Sequence, residues 1–407
     1  MDIKLATRLN KIDASPTLAI TALANQLKAD GKDVIGFGAG EPDFDTPLHI
    51  KQAAIEGLNE GLTKYSPVAG YPWLREAIVD KLKRDNSLSY SINDIIVSNG
   101  GKQVLYNLLM SLLNEGDEVI IPAPYWVSYT DLVKISDGVP KFVHTTAQSQ
   151  FKMTPEQLDG AITKRTKAIF MNSPSNPTGA MYTKEELQAL AKVLEKHEQV
   201  VIITDDIYEK LNYDNLVFYN LAMLSEKLSN RIVVVNGLSK AYSMTGWRIG
   251  YAATSIPGLI KAMSKLQGQS TSGVNSFAQK GAMVALNSSQ ECIETMKVEF
   301  VKRRDFIVDA LNDCKGLSVS TPGGAFYVFP DITDLVSFGG FQDLRKKHPD
   351  EKDAGKIVSS ELLKKYLVAV VPGIAFGYEF GFRMSYATSM ENIKNGMDRI
   401  KKFTDSL

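Results

Sequence analysis

The sequence predicts an α/β protein, with a large domain built on a mainly parallel sheet and a smaller α+β domain after it. Three observations carry that prediction. Seven short apolar runs, from "DIIVS" at 94–98 to "IGYAA" at 249–253, read as buried strands. Amphipathic helical stretches separate several of them, and strands alternating with helices make parallel sheets covered on both faces. From about residue 291 the texture changes to one long charged helix followed by short apolar runs.

In chain order, residues 1–45 carry the helical pattern "TLAITALANQLKAD" and are expected to pack with the C-terminal unit. Residues 46–290 form the large domain, with strand candidates "DIIVS", "EVIIP", "PKFVH", "KAIFM", "VVIIT", "RIVVV" and "IGYAA". Its helical patterns include "PWLREAIVDKLKRD", "KQVLYNLLMSLL" and "TKEELQALAKVLEKH". The last opens on Thr183 with Glu186 three residues on, the signature of a capping box. Residues 291–407 form the smaller domain: the helix "ECIETMKVEFVKRRDFIVDALND", then "AFYVFP", "VAVVPG" and "FRMSYA". Within it "DLVSFGGFQDLRKKHPDEKDAG" reads as a polar surface excursion placed to help close a site.

Composition excludes several functions. The 46 basic residues balance the 46 acidic ones, which gives no electrostatic case for nucleic acid or a membrane surface. No apolar run approaches the ~20 residues of a membrane span. "MDIKLATRLNKIDASP" has no apolar core of an export signal, and two cysteines make no disulfide framework, so a cytoplasmic protein with reduced thiols is expected. Four widely spaced histidines support neither a metal site nor a Ser-His-Asp triad. "GFGAG" at 36–40 runs into "EPDFDTP" instead of opening a helix, which rules out a dinucleotide fingerprint. "NGGKQ" at 99–103 has Ile96 where a P-loop needs glycine, and Gln103 where it needs Ser or Thr. Its two glycines still open a helix whose free N–H groups suit a phosphate.

"NGLSKAYSMTGWRIGYAAT" at 236–254 follows a buried strand and presents a lysine and an arginine eight residues apart. Ligand sites of α/β folds lie beyond the carboxyl ends of strands. An amine near a phosphate-binding turn suggests a cofactor with an aldehyde and a phosphate, and pyridoxal phosphate is that cofactor. It needs an amine, phosphate donors, an anion for the ring nitrogen and a ring clamp. Lys240, the "NGGKQ" helix start with Arg248, Asp205 in "TDDIY" and Trp126 in "PAPYWVSY" meet those needs, each after a strand candidate.

With "SPTLAITA", "GAGEPDFDTP", "TKYSPVAGYPWLREAI", "NSPSNPTGA", "SKAYSMTGWRIGY" and "FRMSYATS" in the same order, nearly the whole chain resembles the class I aminotransferases of fold type I, in the bacterial aspartate aminotransferase branch. The resemblance implies a homodimer that uses pyridoxal 5'-phosphate for ping-pong transfer of nitrogen from L-aspartate to 2-oxoglutarate, giving oxaloacetate and L-glutamate. It makes Lys240 the cofactor-linked amine and proton carrier. The family's D-x-x-Y spacing to Tyr208 selects Asp205, not Asp206, for the ring nitrogen. Tyr208 and Asn176 are implied at the ring's phenolic oxygen, and Trp126 on the ring face. Ser239, Arg248 and the backbone of Gly100, Gly101 and Lys102 are implied at the phosphate, joined by Tyr65 from a second subunit. Arg383 and Gly40 are implied at the substrate α-carboxylate. Lys102 is implied at the distal carboxylate, with Ser15 and Thr17 at the same end.

Two departures stand out. Gly237 replaces the serine that many aspartate aminotransferases carry three residues before the lysine, so the phosphate leans more on Ser239 and backbone. Relatives that accept prephenate carry a lysine just before the N-terminal serine, where this chain has Asp13-Ala14. Aromatic or prephenate transamination is the alternative of the same class. A fold-type I lyase is a further rival, and a cofactor-binding regulator would need an extra basic DNA-binding module that this sequence does not show.

Overall fold

The computed structural model describes residues 4–407; the first three residues of the N-terminal segment read above lie outside the described residues. In chain order the strands are β1 (Ile35–Gly36), β2 (Ile95–Ser98), β3 (Glu118–Ala123), β4 (Val139–His144), β5 (Thr166–Asn172) and β6 (Val201–Asp205). They continue with β7 (Ile232–Gly237), β8 (Gly250–Ala253), β9 (Tyr327–Val328), β10 (Val368–Ala369), β11 (Val371–Pro372) and β12 (Phe382–Ser385).

Each of the seven apolar runs is a strand of one sheet, ordered β2-β8-β7-β6-β5-β3-β4. All pairs are parallel except those of β8, which runs against β2 and β7. β2, β7 and β8 are buried at every position, as helices on both faces require. Successive residues serve opposite layers: Ile95, Ile169, Ile202 and Val234 join one apolar cluster, and Ile96, Phe170, Ile203 and Val235 the other. β4 lies at the edge and leaves Val139, Phe142 and His144 exposed.

The helix Lys184–Leu194 starts where the sequence predicts. Thr183 Oγ1 accepts from the Glu186 N–H at 3.2 Å, and Glu186 Oε2 accepts from the Thr183 N–H at 2.8 Å. The helix Gly101–Leu112 follows β2 after Gly100, whose φ of 83° is left-handed.

The C-terminal part holds a second, antiparallel sheet ordered β11-β12-β9. β1 pairs in parallel with β10, and the Ser385 N–H donates to the Phe37 carbonyl at 2.8 Å. Residues 334–355 differ from the polar excursion expected. The helix Gly339–Lys346 buries Phe341 and Leu344, a stripe too narrow to stand out among the five charged or glycine residues of the same helix.

β3, β5, β6 and β7 all point their carboxyl ends the same way. The chain leaving them carries Trp126, Asn176, Asp205 and Lys240, so topology alone brings residues far apart in sequence to one edge.

Candidate active site

At that edge lies a cavity of about 410 Å³ between the large sheet and the β9–β12 sheet. Lys240 enters it from the turn after β7. Its Nζ donates to the Gly40 carbonyl and sits 6.0 Å from the Phe326 ring centroid. Burial, then the Arg383 charge, push its pKa down to about 8.

Asp205 closes β6 and accepts from the Tyr129 hydroxyl at 2.7 Å. Register places it opposite Asn172, whose Nδ2 donates to the Asp205 carbonyl at 2.8 Å. Asp206 turns the other way and accepts from Asn220 Nδ2 at 2.6 Å, so the pleat decides between the neighbouring carboxylates. Burial pushes the Asp205 pKa up to about 6, against the pull of the Tyr129 hydrogen bond.

That shift sets a stability dependence in the ligand-free chain. Between the ordinary carboxylate value and about 6 the folded chain holds the proton that the unfolded chain has lost, so stability falls as pH rises through this window. Asp205→Asn removes the penalty. Its stability relative to the parent chain is expected to be near zero at pH 4 and higher by roughly 2 kcal/mol at pH 7. Denaturant melts at the two pH values check this, and a pH-independent difference would show that Asp205 titrates normally.

Arg383, on β12, is 2% exposed. Its Nη1 donates to Asn176 Oδ1 at 3.0 Å and its Nη2 to the Gly38 carbonyl at 2.8 Å. The guanidinium lies 4.6 Å from the Tyr327 ring centroid and 5.0 Å from that of Phe376. Its Nε has no partner, and among the described residues no carboxylate reaches it. A buried cation without a counter-charge is expensive, and its fixed fork matches a carboxylate.

Tyr208 shares a hydrogen bond of 2.8 Å with the Tyr327 hydroxyl. Trp126 meets Tyr129 edge to face at 5.4 Å, and Lys102 Nζ lies 5.2 Å from the Trp126 centroid. Over the start of the helix that carries Lys102, Arg248 has a φ of 57° and donates to the carbonyls of Thr245 at 2.8 Å and Asn99 at 3.3 Å. A Cβ on Gly100 would stand 2.4 Å from Arg248 Nη2, so glycine is what lets the guanidinium lie over the helix start.

Of the residues singled out in the sequence, Lys240, Asp205, Tyr208, Gly101, Lys102, Trp126, Asn176, Ser239, Arg248, Gly40, Arg383, Ser15 and Thr17 line this one cavity. Three differ in detail. Ser15 Oγ also caps the helix Pro16–Ala29, accepting from the Leu18 N–H at 3.5 Å. Gly100 stands just outside the lining and acts through Arg248. Tyr65 is 96% exposed and lies outside the cavity of its own chain.

Sequence reading missed Tyr129, Asn172, Tyr327 and Thr245. For Asn172 a signal existed: it ends "KAIFMN" as Asp205 ends "VVIITD" on the next strand. Tyr129 and Tyr327 sit in apolar surroundings that look like core.

A mainly parallel sheet that gathers an amine of lowered pKa and a buried guanidinium without a carboxylate partner into one cavity suits an enzyme site for anionic substrates. Residues 32–400 match the family described as aminotransferase class I and II, and the chain belongs to it. It is 48% identical over 398 residues to the aspartate/prephenate aminotransferase of Nitrosomonas europaea, covering 98% of this chain and 99% of that one. It is 47% identical to the aspartate aminotransferase of Bacillus subtilis over 403 residues, 99% of each chain. The structure of the aspartate aminotransferase from Rhizobium meliloti superposes with a TM-score of 0.94 at 43% identity, and covers both chains in full. That from Thermus thermophilus with maleate gives 0.89 at 39%, again over both chains in full. The fold is fold type I, and the protein is a transaminase.

Proposed function

We propose that the cavity binds pyridoxal 5'-phosphate and transfers the amino group of L-aspartate to 2-oxoglutarate. The observation that carries this reading is Arg383: a buried guanidinium with a free Nε and no acidic partner shares a cavity with an amine titrating near 8. The residues present fit the cofactor. The helix start at Gly101, Ser239 and Arg248 would hold its phosphate, Asp205 its ring nitrogen, Tyr208 and Asn176 its phenolic oxygen, and Trp126 its face. When bound, the cofactor supplies an aldehyde that exchanges with amino nitrogen and a ring that accepts the electron pair left on Cα.

The chain's own residues do the rest. Lys240 Nζ would carry the proton from the substrate Cα to the cofactor's aldehyde carbon in one half-reaction, and in the reverse direction in the other. An amine titrating near 8 is neutral in roughly a tenth of molecules at pH 7, enough to act as a base. Asp205, buried and held by Tyr129, keeps a negative charge at the ring nitrogen. Arg383 grips the α-carboxylate and fixes Cα toward Lys240.

Lys102 reads the distal carboxylate. It stands at the cavity wall with no carboxylate within 4 Å among the described residues, and partial burial, then Arg248, hold it below the ordinary lysine range. The maleate-bound Thermus thermophilus relative, with a four-carbon dicarboxylate, supports this reading. Lys102→Ala is expected to lower kcat/KM for aspartate about ten-fold, one charge-assisted hydrogen bond's worth, and to leave alanine unchanged. Equal losses for both substrates would remove Lys102 from this role.

The same reading divides the chain at residues 1–45, 46–290 and 291–407, with the β1–β10 pairing as support for the first segment's place. It makes the protein a cytoplasmic homodimer in which the exposed Tyr65 reaches the phosphate held by a second copy. No helix of the described residues is long and apolar enough to cross a membrane. Transamination of prephenate is a second reading, supported by the name of the Nitrosomonas europaea relative and opposed by Asp13-Ala14.

An absorbance scan tests the proposal. Protein loaded with pyridoxal phosphate is expected to be yellow and to bleach on addition of L-aspartate without any keto acid. A chain that stays colourless refutes the cofactor. Bleaching by neutral or aromatic amino acids alone refutes the dicarboxylate preference.

A further inference from the structure

On the side of β6 turned away from the cavity lies a second charged cluster, which transamination as described leaves unused. Lys81, 2% exposed on the helix Pro72–Asn86, pairs with Glu209. Its Nζ also donates to Asn86 Oδ1 at 2.7 Å, and Asn86 Nδ2 donates to Glu209 Oε2 at 2.9 Å. Beside them Asp206 accepts from Asn220 Nδ2. All five side chains are buried. Lysine is almost never fully buried, and a buried ion pair stabilises a fold little more than apolar groups of the same volume.

The cluster grips one turn. Beyond β6 the backbone of residues 206–209 has no sheet partner except the Asp206 N–H, which donates to the Val235 carbonyl at 2.8 Å; the Glu209 N–H donates to the Asp206 carbonyl at 2.9 Å. Side chains along this turn divide by face. Asp205, Ile207 and Tyr208 line the cavity, while Asp206 and Glu209 point into the cluster.

Resting on the function proposed above, we propose that Lys81 and Asn86, acting through Glu209, and Asn220, acting through Asp206, are positioning residues. They hold the turn so that the Asp205 carboxylate and the Tyr208 hydroxyl meet the cofactor ring together. Charge fits this role. Glu209 pairs with the ammonium, Asp206 lies beside that pair, and burial, then Glu209, hold Asp206 well above the ordinary carboxylate value. Asp205 lies across the strand, and Arg84 and the Lys210–Asp85 pair lie at the outer rim. Tyr90, Tyr242 and Tyr251, the other titratable neighbours, are all pushed up by burial and stay neutral. Of the two neighbouring carboxylates, Asp205 is the one that lines the cavity.

The test compares the parent chain with Lys81→Met and with the paired Lys81→Met/Glu209→Gln, which removes both charges. Three quantities are read: thermal midpoint of the ligand-free chain, dissociation constant for pyridoxal phosphate, and the pH midpoint of the bound cofactor's absorbance. Lys81→Met alone strands Glu209 and is expected to melt lower. The paired variant is expected to regain most of the thermal midpoint, yet to bind pyridoxal phosphate about ten-fold more weakly with a displaced pH midpoint. Parent-like affinity and pH midpoint in a folded paired variant overturn the inference and make the cluster merely structural. Where that variant does not fold, the isosteric Glu209→Gln is read in the same assay with the same two outcomes. A parent chain that does not bind pyridoxal phosphate overturns the functional reading and this inference with it.

Discussion

Lys240→Ala is expected to abolish release of keto acid from any amino acid, a loss of about 10⁴-fold or more, while raising the stability of the ligand-free chain. Both effects come from the same amine. In the mechanism proposed above, activity is lost because the proton carrier at Cα is gone, and positioned acid–base catalysis is worth roughly 10²–10⁴-fold before the lost covalent anchor is added. Among the described residues of this chain no other amine stands close enough to replace it: Lys102 lies at the Trp126 end of the cavity, and Arg383 and Arg248 do not give up protons.

The gain in stability follows from linkage. The folded-state pKa of about 8 lies below the ordinary lysine value, so between the two the unfolded chain binds the proton that the folded chain has lost. Stability of the parent chain therefore rises with pH across that window, and below about pH 8 the full cost of the buried ammonium stands. The shift corresponds to roughly 3 kcal/mol, reduced by about 1 for the lost hydrogen bond to the Gly40 carbonyl. Lys240→Ala is thus expected to be more stable by about 2 kcal/mol at pH 7, with the advantage fading as pH rises from about 8 toward the ordinary lysine value. Chemical denaturation at three pH values measures it. Sustained turnover would remove Lys240 from catalysis, and a pH-independent stability difference would show an ordinary, solvated lysine.

Strands β2, β7 and β8 were legible because each is buried on both faces, so each is an unbroken apolar run that needs no alternation to be recognised, whereas the edge strand β4 is marked only by the short run "PKFVH". Part of the candidate site was legible for a related reason: a charged or amide side chain at or just beyond the end of such a run stands out from it. Asp205 directly follows "VVIIT", while Asn176 and Lys240 follow "KAIFM" and "RIVVV" by five residues each. Tyr327 did not stand out, because "AFYVFP" is uniformly apolar and only tertiary contact reveals that its hydroxyl meets Tyr208 and its ring supports Arg383. The cluster of Lys81, Asn86 and Glu209 was invisible for the opposite reason. On a helix that also carries Asp80, Lys83 and Arg84, a buried lysine looks like one more solvated charge.

Arg383→Gln is expected to lower kcat/KM by about 10²–10⁴-fold for every amino acid alike. Two charge-assisted hydrogen bonds to a carboxylate are worth roughly 3–6 kcal/mol, and each 1.4 kcal/mol is ten-fold. The uniformity is what distinguishes this arginine from Lys102. A residue that reads the group common to all substrates cannot discriminate between them, whereas loss of Lys102 separates aspartate from alanine. Arg383→Lys keeps the charge but not the planar fork, and so falls between the parent and Arg383→Gln. Stability moves little. Glutamine removes a buried cation that has no counter-charge, but leaves the Gly38 carbonyl and Asn176 Oδ1 short of a donor, and these changes oppose each other. Steady-state kinetics with aspartate, alanine and one aromatic amino acid give the answer. A loss confined to aspartate would move Arg383 to the distal end of the substrate, and leave the α-carboxylate to the backbone around Gly40.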